Sequence, residues 1–232
     1  MRNQQSGFTL VEIAIVLVII GLLLGGVLKG QELINSAKVK NMAGDFRNIS
    51  VMIYGYQDRF RAIPGDDRNV VAHLGAAATL ATTPAAATVG NGAIDGNWDT
   101  VTLTDESMLF WQHVRLANLA PGSTTVAANA TYWPVNADSG RIGIEAGSAN
   151  FIQNVTAAGA GDGTFLQGAY VICSTGVLGR FALQIDTTTD DGNPQTGSVR
   201  VVLPAHVRGA IAATTAAIQA APAANYTVCT GL

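Results

Sequence analysis

The chain has 232 residues, a formal net charge of −3 and a mean hydropathy of +0.28, with charged side chains at only 12% of positions. From Asn69 onward there are five arginines against ten acids. That balance argues against nucleic acid as a partner, because phosphate recognition wants clustered Lys and Arg.

A short polar leader, MRNQQSG, precedes FTLVEIAIVLVIIGLLLGGVL, and between Phe8 and Leu28 the one charged side chain is Glu12. At ~1.5 Å rise per residue this run reaches about 31 Å as a helix, enough to cross the hydrocarbon of a bilayer. A carboxylate in such a span is costly and calls for a partner. The segment itself is expected to offer it none. A secretory signal peptide would carry a shorter apolar run followed by a small-x-small cleavage site, and a simple single-span anchor has no use for an acid in its first turn.

The residues Gly7-Phe8-Thr9-Leu10-Val11-Glu12 resemble the processing site of type IV pilins and of the pseudopilins of type II secretion, with leader, glycine, phenylalanine, glutamate and apolar run in order. The resemblance covers about the first 30 residues. It implies that a prepilin peptidase cuts between Gly7 and Phe8 and methylates the new amino terminus at Phe8. The amine so formed lies four residues from Glu12. On another copy of the chain it would neutralise Glu12 and set the register of one helix against the next, which is the logic of a helical filament.

The apolar run continues into KGQELINSAKVKNMAGDFRNISVMIYGYQDRFRAIPG with no proline before Pro64. Met42, Phe46, Ile49, Ile53, Tyr56 and Phe60 recur at alternating spacings of four and three, one apolar stripe on a helix. A helix from Phe8 to about Arg61, ended by Ile63-Pro64-Gly65, would be ~80 Å long. Lys29 stands where many pilins carry a kinking proline. Gly21, Gly25, Gly26 and Gly30 form two small-x-x-x-small pairs, which allow close helix approach in a membrane.

Further along, the Ala/Thr-rich stretch 75–89 reads as a surface loop. A compact helix follows in DESMLFWQHVRLANLAPG, capped by Thr104 and closed by Pro121. Strand-like pieces come at Arg141–Glu145, Ala169–Cys173, Ser198–Leu203 and Tyr226–Cys229, while Gly179–Asp186 reads equally as helix or strand. Asp190-Asp191-Gly192-Asn193-Pro194 is a turn by its chemistry. The expected fold is α+β: a long N-terminal helix, its first half membrane-spanning, packed against a small antiparallel sheet. The expected divisions are a leader at 1–7, a span at 8–28, the rest of the long helix at 29–63 and a head at 64–232.

Asp95-Gly96-Asn97-Trp98-Asp99 followed by Glu106 places oxygens at positions 1, 3, 5 and 12 of an EF-hand-like loop, so Asp95, Asn97, Asp99 and Glu106 are a candidate calcium set. Thr100 occupies the position where the sharp turn needs glycine, and no helix precedes the loop, so an acidic turn before a helix is the alternative. Asp66, Asp67, Asp190 and Asp191 are further oxygen donors that the sequence cannot bring together. No other cofactor is expected. The histidines, His73, His113 and His206, have no metal-ligand partner at helical spacing, and no nucleophile elbow is present, so the chain does not read as an enzyme. Cys173 and Cys229 lie beyond the span. In an oxidising compartment a disulfide is expected, worth ~4 kcal/mol in the chain-entropy model, with two buried thiols as the alternative. The pair also resembles the C-terminal disulfide loop of many type IV pilins, a loop that most pseudopilins lack.

The functional expectation is a prepilin that polymerises with its own copies and other pilins, handled by prepilin peptidase and inner-membrane assembly machinery. It would sit in the bacterial inner membrane with a periplasmic head before export to a pilus. A type II secretion pseudopilin and a minor or adhesive pilin are the alternatives within the family. A membrane-tethered binding module that never polymerises is the alternative outside it.

Overall fold

In α1, a helix of 51 residues over Leu10–Phe60, the two ends have different surroundings. The computed structural model describes residues 9–84, 88–148, 151–155, 161–204 and 209–232, so the leader, Gly7, Phe8 and His206 lie outside the described residues. It divides into two compact units, Met1–Lys38 and Val39–Leu232. In the first, every side chain of α1 from Leu10 to Lys29 is exposed, including Leu10, Leu17, Leu22 and Leu23. Lys29 pairs with Glu32 one turn on, at 2.6 Å, and the helix continues through it.

In the second unit α1 buries Val39, Met42, Ala43, Phe46, Ile49, Ile53 and Tyr56, the stripe expected from the spacing. The helix stops at Phe60, ahead of the proline. Arg61 takes a left-handed conformation (φ 55°) while its N–H still donates to the Gln57 carbonyl at 2.9 Å, a common way of ending a helix.

The remaining elements are α2 (Val70–Leu74), α3 (Glu106–Leu116), β1 (Ile142–Ala146), β2 (Ile152–Val155), β3 (Gly161–Phe165), β4 (Tyr170–Leu178), α4 (Gly179–Thr189), β5 (Val199–Val202), β6 (Ala210–Ile211), α5 (Thr215–Ala220) and β7 (Asn225–Gly231). Strands β1-β4-β7-β5 form an antiparallel sheet in that order. Alternation along its strands sends Ile142, Ile144, Ile172, Val177, Val199, Val201 and Val228 into one core with the α1 stripe, Met108, Phe110 and Trp111 of α3, and Phe181 and Ile185 of α4. Each such large side chain contributes roughly 1.5–3 kcal/mol on leaving water. The opposite face puts Val171, Cys173, Val202 and Cys229 into a second cluster with Trp98, Phe151, Ile152 and Leu166. There a three-stranded sheet, β3-β2-β6, supplies Ile152. The expected sheet thus has both faces covered, and this second sheet is an addition to the expected fold.

Several local expectations need correction. Asp105, not Thr104, is the N-cap of α3; the Met108 and Leu109 N–H groups bond to the Asp105 carbonyl. The Thr104 hydroxyl is engaged with that of Thr83 instead. The helix ends at Leu116, well before Pro121, because Asn118 turns left-handed at φ 59°. The stretch 75–89 is not purely surface, since Ala78, Ala81 and Val89 are buried and the latter two pack on Leu109. Polar side chains of α3 make this burial tolerable. Gln112 accepts from the Thr79 N–H at 2.9 Å, and His113 Nε2 meets the Thr79 carbonyl at 2.9 Å. The ambiguous segment from Gly179 is helix α4, whose buried Phe181, Ala182 and Ile185 fall on one face.

Candidate functional site

The N-terminal site begins at Thr9, immediately before α1. Its backbone N–H donates to Glu12 Oε2 at 2.8 Å and its hydroxyl donates to the same oxygen at 2.9 Å, while the Glu12 N–H is 3.3 Å from the Thr9 hydroxyl. This is a capping box: Thr-x-x-Glu, each end satisfying a backbone donor of the other. The expectation that the apolar segment offers Glu12 no partner is therefore corrected. Thr9 supplies hydrogen bonds that shape the first turn, but Thr9 is neutral and brings no countercharge.

Beyond Glu12 the helix offers an apolar surface on all sides. Its most apolar 18-residue window has a mean hydropathy of 2.8 and no buried residue, so α1 is long and apolar enough to cross a membrane. A Cβ added at Gly21, Gly25, Gly26 or Gly30 would meet nothing within 4 Å, which leaves both small-residue pairs open to an approaching helix.

In the head, Cys173 and Cys229 are joined by a disulfide between directly opposed residues of β4 and β7, on the sheet face away from α1. Several sequence phrases turn out to be hydrogen-bonded supports. The backbone N–H groups of Gly90, Asn91 and Gly92 all donate to the Asp66 carboxylate, the last at 2.7 Å. A loop shaped like an anion cradle is thus filled by the chain's own side chain. Asp67 accepts from the Tyr56 hydroxyl at 2.7 Å and from the Asn69 N–H at 2.9 Å, and its Oδ2 lies 2.7 Å from His73 Nδ1. His113 is fully buried, and its Nδ1 accepts from the Gly65 N–H at 2.9 Å, so Nε2 carries the proton toward Thr79. Burial holds this imidazole down to about 4. Gly65 itself sits at φ +92°, where a Cβ would collide with the Glu106 carbonyl.

Of the EF-hand-like set, the acids Asp95, Asp99 and Glu106 do not bring three carboxylate oxygens within 4.8 Å of one another. Glu106, the buried first residue of α3, turns its Oε2 back to the Asp95 N–H at 2.8 Å. Asp95 Oδ2 accepts from the Asn91 amide at 3.0 Å, and the Asn97 carbonyl accepts from Ser107 at 2.9 Å. The Asp99 carbonyl accepts from Arg141 at 2.8 Å. Thr100, standing where glycine is needed, donates its hydroxyl to Asp105, which fixes a different turn. Burial, with Asp66, Asp95 and Asp105 nearby, pushes the Glu106 carboxyl up to about 7. Among the described residues, the acids whose oxygens do converge are Asp186, Asp190 and Asp191. The turn phrase pointed to the last two. Asp186 escaped notice because its segment could be read as strand, and only in a helix does it share a face with Asp190, four residues on.

Residues 2–28 match the family model described as the prokaryotic N-terminal methylation motif. No curated protein and no solved structure matches the chain. The motif points to a structural subunit rather than an enzyme, and with the apolar helix it marks a membrane-anchored precursor. Leader, Phe8, Glu12 and the start of the apolar helix thus make up an N-terminal methylation motif, and over these residues the chain is similar to the type IV pilins and pseudopilins.

Proposed function

We propose that this chain is a prepilin whose mature form polymerises into a type IV pilus-like filament. Prepilin peptidase cuts between Gly7 and Phe8 and methylates Phe8. The precursor waits in the inner membrane with residues 8–28 across it and the head on the periplasmic side. Assembly machinery then extracts it, so that the apolar helices of many copies, with other pilins, pack into a filament core. The observation that carries this reading is the helix surface from Leu10 to Lys29, exposed on every side and lying almost wholly within the methylation motif at residues 2–28. Such a surface needs lipid or other helices around it. The disulfide favours a surface pilus over a type II secretion pseudopilus, since most pseudopilins lack a C-terminal disulfide loop.

The capping box supplies a sharp test. Glu12→Gln keeps an acceptor for the Thr9 N–H, since a capping box accepts Gln in place of Glu, but removes the charge. If the amine of a neighbouring Phe8 neutralises Glu12, both Glu12→Gln and Glu12→Val insert and are processed yet yield few filaments. If Glu12→Gln assembles as the wild type does, local capping is the role of Glu12 and the charge pairing is wrong. Mass spectrometry of sheared extracellular material reads the rest: a protein beginning at methylated Phe8 supports the pilus. Processed protein found in membranes alone supports a pseudopilin, and monomers with no sheared material support a tethered binding module.

A further inference from the structure

The end of α4 carries the wrong charge for a helix terminus. The C-terminal end of a helix is the negative end of its dipole and favours cations, yet the last turn of α4 holds no basic residue. Asp186, Asp190 and Asp191 gather there, each contributing a carboxylate oxygen to a group lying within 4.8 Å of one another. That is the widest separation available to two oxygens bound at roughly 2.4 Å to one calcium ion.

Asp186 is the informative member. It is 0% exposed, and neither of its carboxylate oxygens has a hydrogen-bond partner. A buried acid in that state is strongly disfavoured unless something positive meets it. Arg200 of β5, whose charge acts on Asp191, directs Nη1 to the Thr164 carbonyl at 3.2 Å. The other two acids are held in place by the turn. Asp190 Oδ2 accepts from the Val199 N–H at 2.8 Å; Asp191 accepts from the Asn193 N–H at 2.8 Å and the Thr196 hydroxyl at 2.6 Å. Gly197, at φ +73°, lets the returning chain approach Asp190 where a Cβ would collide with its carboxylate.

We propose that Asp186, Asp190 and Asp191 bind a calcium ion that ties the end of α4 to the turn leading into β5. All three donors are hard oxygens, which select calcium or magnesium over softer metals. Three carboxylates converging on one ion suit calcium, because magnesium keeps much of its own water and takes only one or two carboxylates. Backbone carbonyls and water complete the six to eight oxygens that calcium takes. The site stabilises β5, an edge strand of the larger sheet, and does not depend on polymerisation.

The test uses the full chain in detergent micelles, with thermal unfolding and titration calorimetry in calcium, magnesium or EDTA. Calcium at about 100 times its dissociation constant raises the melting temperature by roughly 5–10 °C over EDTA, with one ion bound per chain. Asp186→Asn abolishes that rise. In EDTA this variant melts at or above the wild type, since it no longer buries an unpaired charge, and this separates loss of the site from failure to fold. No calcium-dependent rise in the wild type, an equal rise in Asp186→Asn, or an equal rise with magnesium would each overturn the assignment.

Discussion

Between Leu10 and Lys29, α1 shows its apolar side chains to the surroundings on every side; between Val39 and Phe60 the same helix hides one stripe and exposes Arg47, Asp58 and Arg59. The first stretch is built mostly of Ile, Leu and Val, the second carries Met, Phe, Ile and Tyr at helical spacing, and both lie in one helix. What differs is the angular distribution of the apolar residues. A one-sided stripe is completed by the chain's own sheet, so the second stretch finds its partner within the molecule. An all-round apolar surface cannot be completed by one head, so the first stretch requires lipid or other copies. Packing on the head and exposure to the surroundings thereby fall to two parts of one helix.

The sharpest way to break this comparison is to truncate one apolar residue in each stretch. Ile53→Ala, inside the head core, is expected to lower the stability of the head by about 2–5 kcal/mol through lost burial and the cavity left behind. Leu23→Ala, in the exposed stretch, should leave head unfolding within about 0.5 kcal/mol of wild type. Urea unfolding of the full chain in detergent, followed by near-UV circular dichroism, checks both. Equal losses would mean that the two stretches are not energetically separate.

A second prediction concerns the polar cost of the buried half. His113 is neutral when folded and its pKa is lowered to about 4 from an ordinary 6.5, so the unfolded chain takes up the proton first. Its contribution is fully present above about pH 6.5 and is lost as pH falls toward 4, by on the order of 3 kcal/mol at ~1.4 kcal/mol per pH unit. Glu106 and Asp186, both raised to about 7, act in the opposite direction over the same range. The clean readout is therefore the stability gap between wild type and His113→Gln, which should narrow as the pH falls from 6.5 to 4. A gap independent of pH would contradict the burial argument.

The smallest effect is expected at the start of the exposed half. Thr9→Ala removes the hydroxyl of the capping box and should cost about 1 kcal/mol of helix start. It should appear as faster amide exchange over the first turn of α1 with no change in head melting. Slowed exchange, or a change in the head, would show that Thr9 acts beyond its own turn.

The legibility of the sequence followed the range of each signal. The α1 stripe was readable because six residues repeat a helical period, and β1, β5 and β7 because short β-branched runs are flanked by turn residues. Only the first half of β4 was visible: Gly176, at φ +70°, accompanies a register shift between Ser174 and Val177, and the strand continues past it. Strands β2, β3 and β6 are short and irregular, and GDGTF carries no alternation to read. The stretch 75–89 looked like surface by composition, yet Ala78 and Ala81 are buried, and Gln112 and His113 of α3 satisfy the backbone at Thr79 between them.

By itself, the sequence determined the methylation motif, the apolar run, the stripe that packs on the head and the two cysteines, because each is written in contiguous or periodic residues. Tertiary structure alone decided that Asp66 fills its own cradle, that Glu106 accepts a hydrogen bond from the Asp95 N–H, and that Asp186 is buried beside Asp190 and Asp191. The physical reason is that a side chain's partner is set by which strands and helices meet. Burial turns an ordinary acid into one that must find a countercharge only after those elements have closed around it.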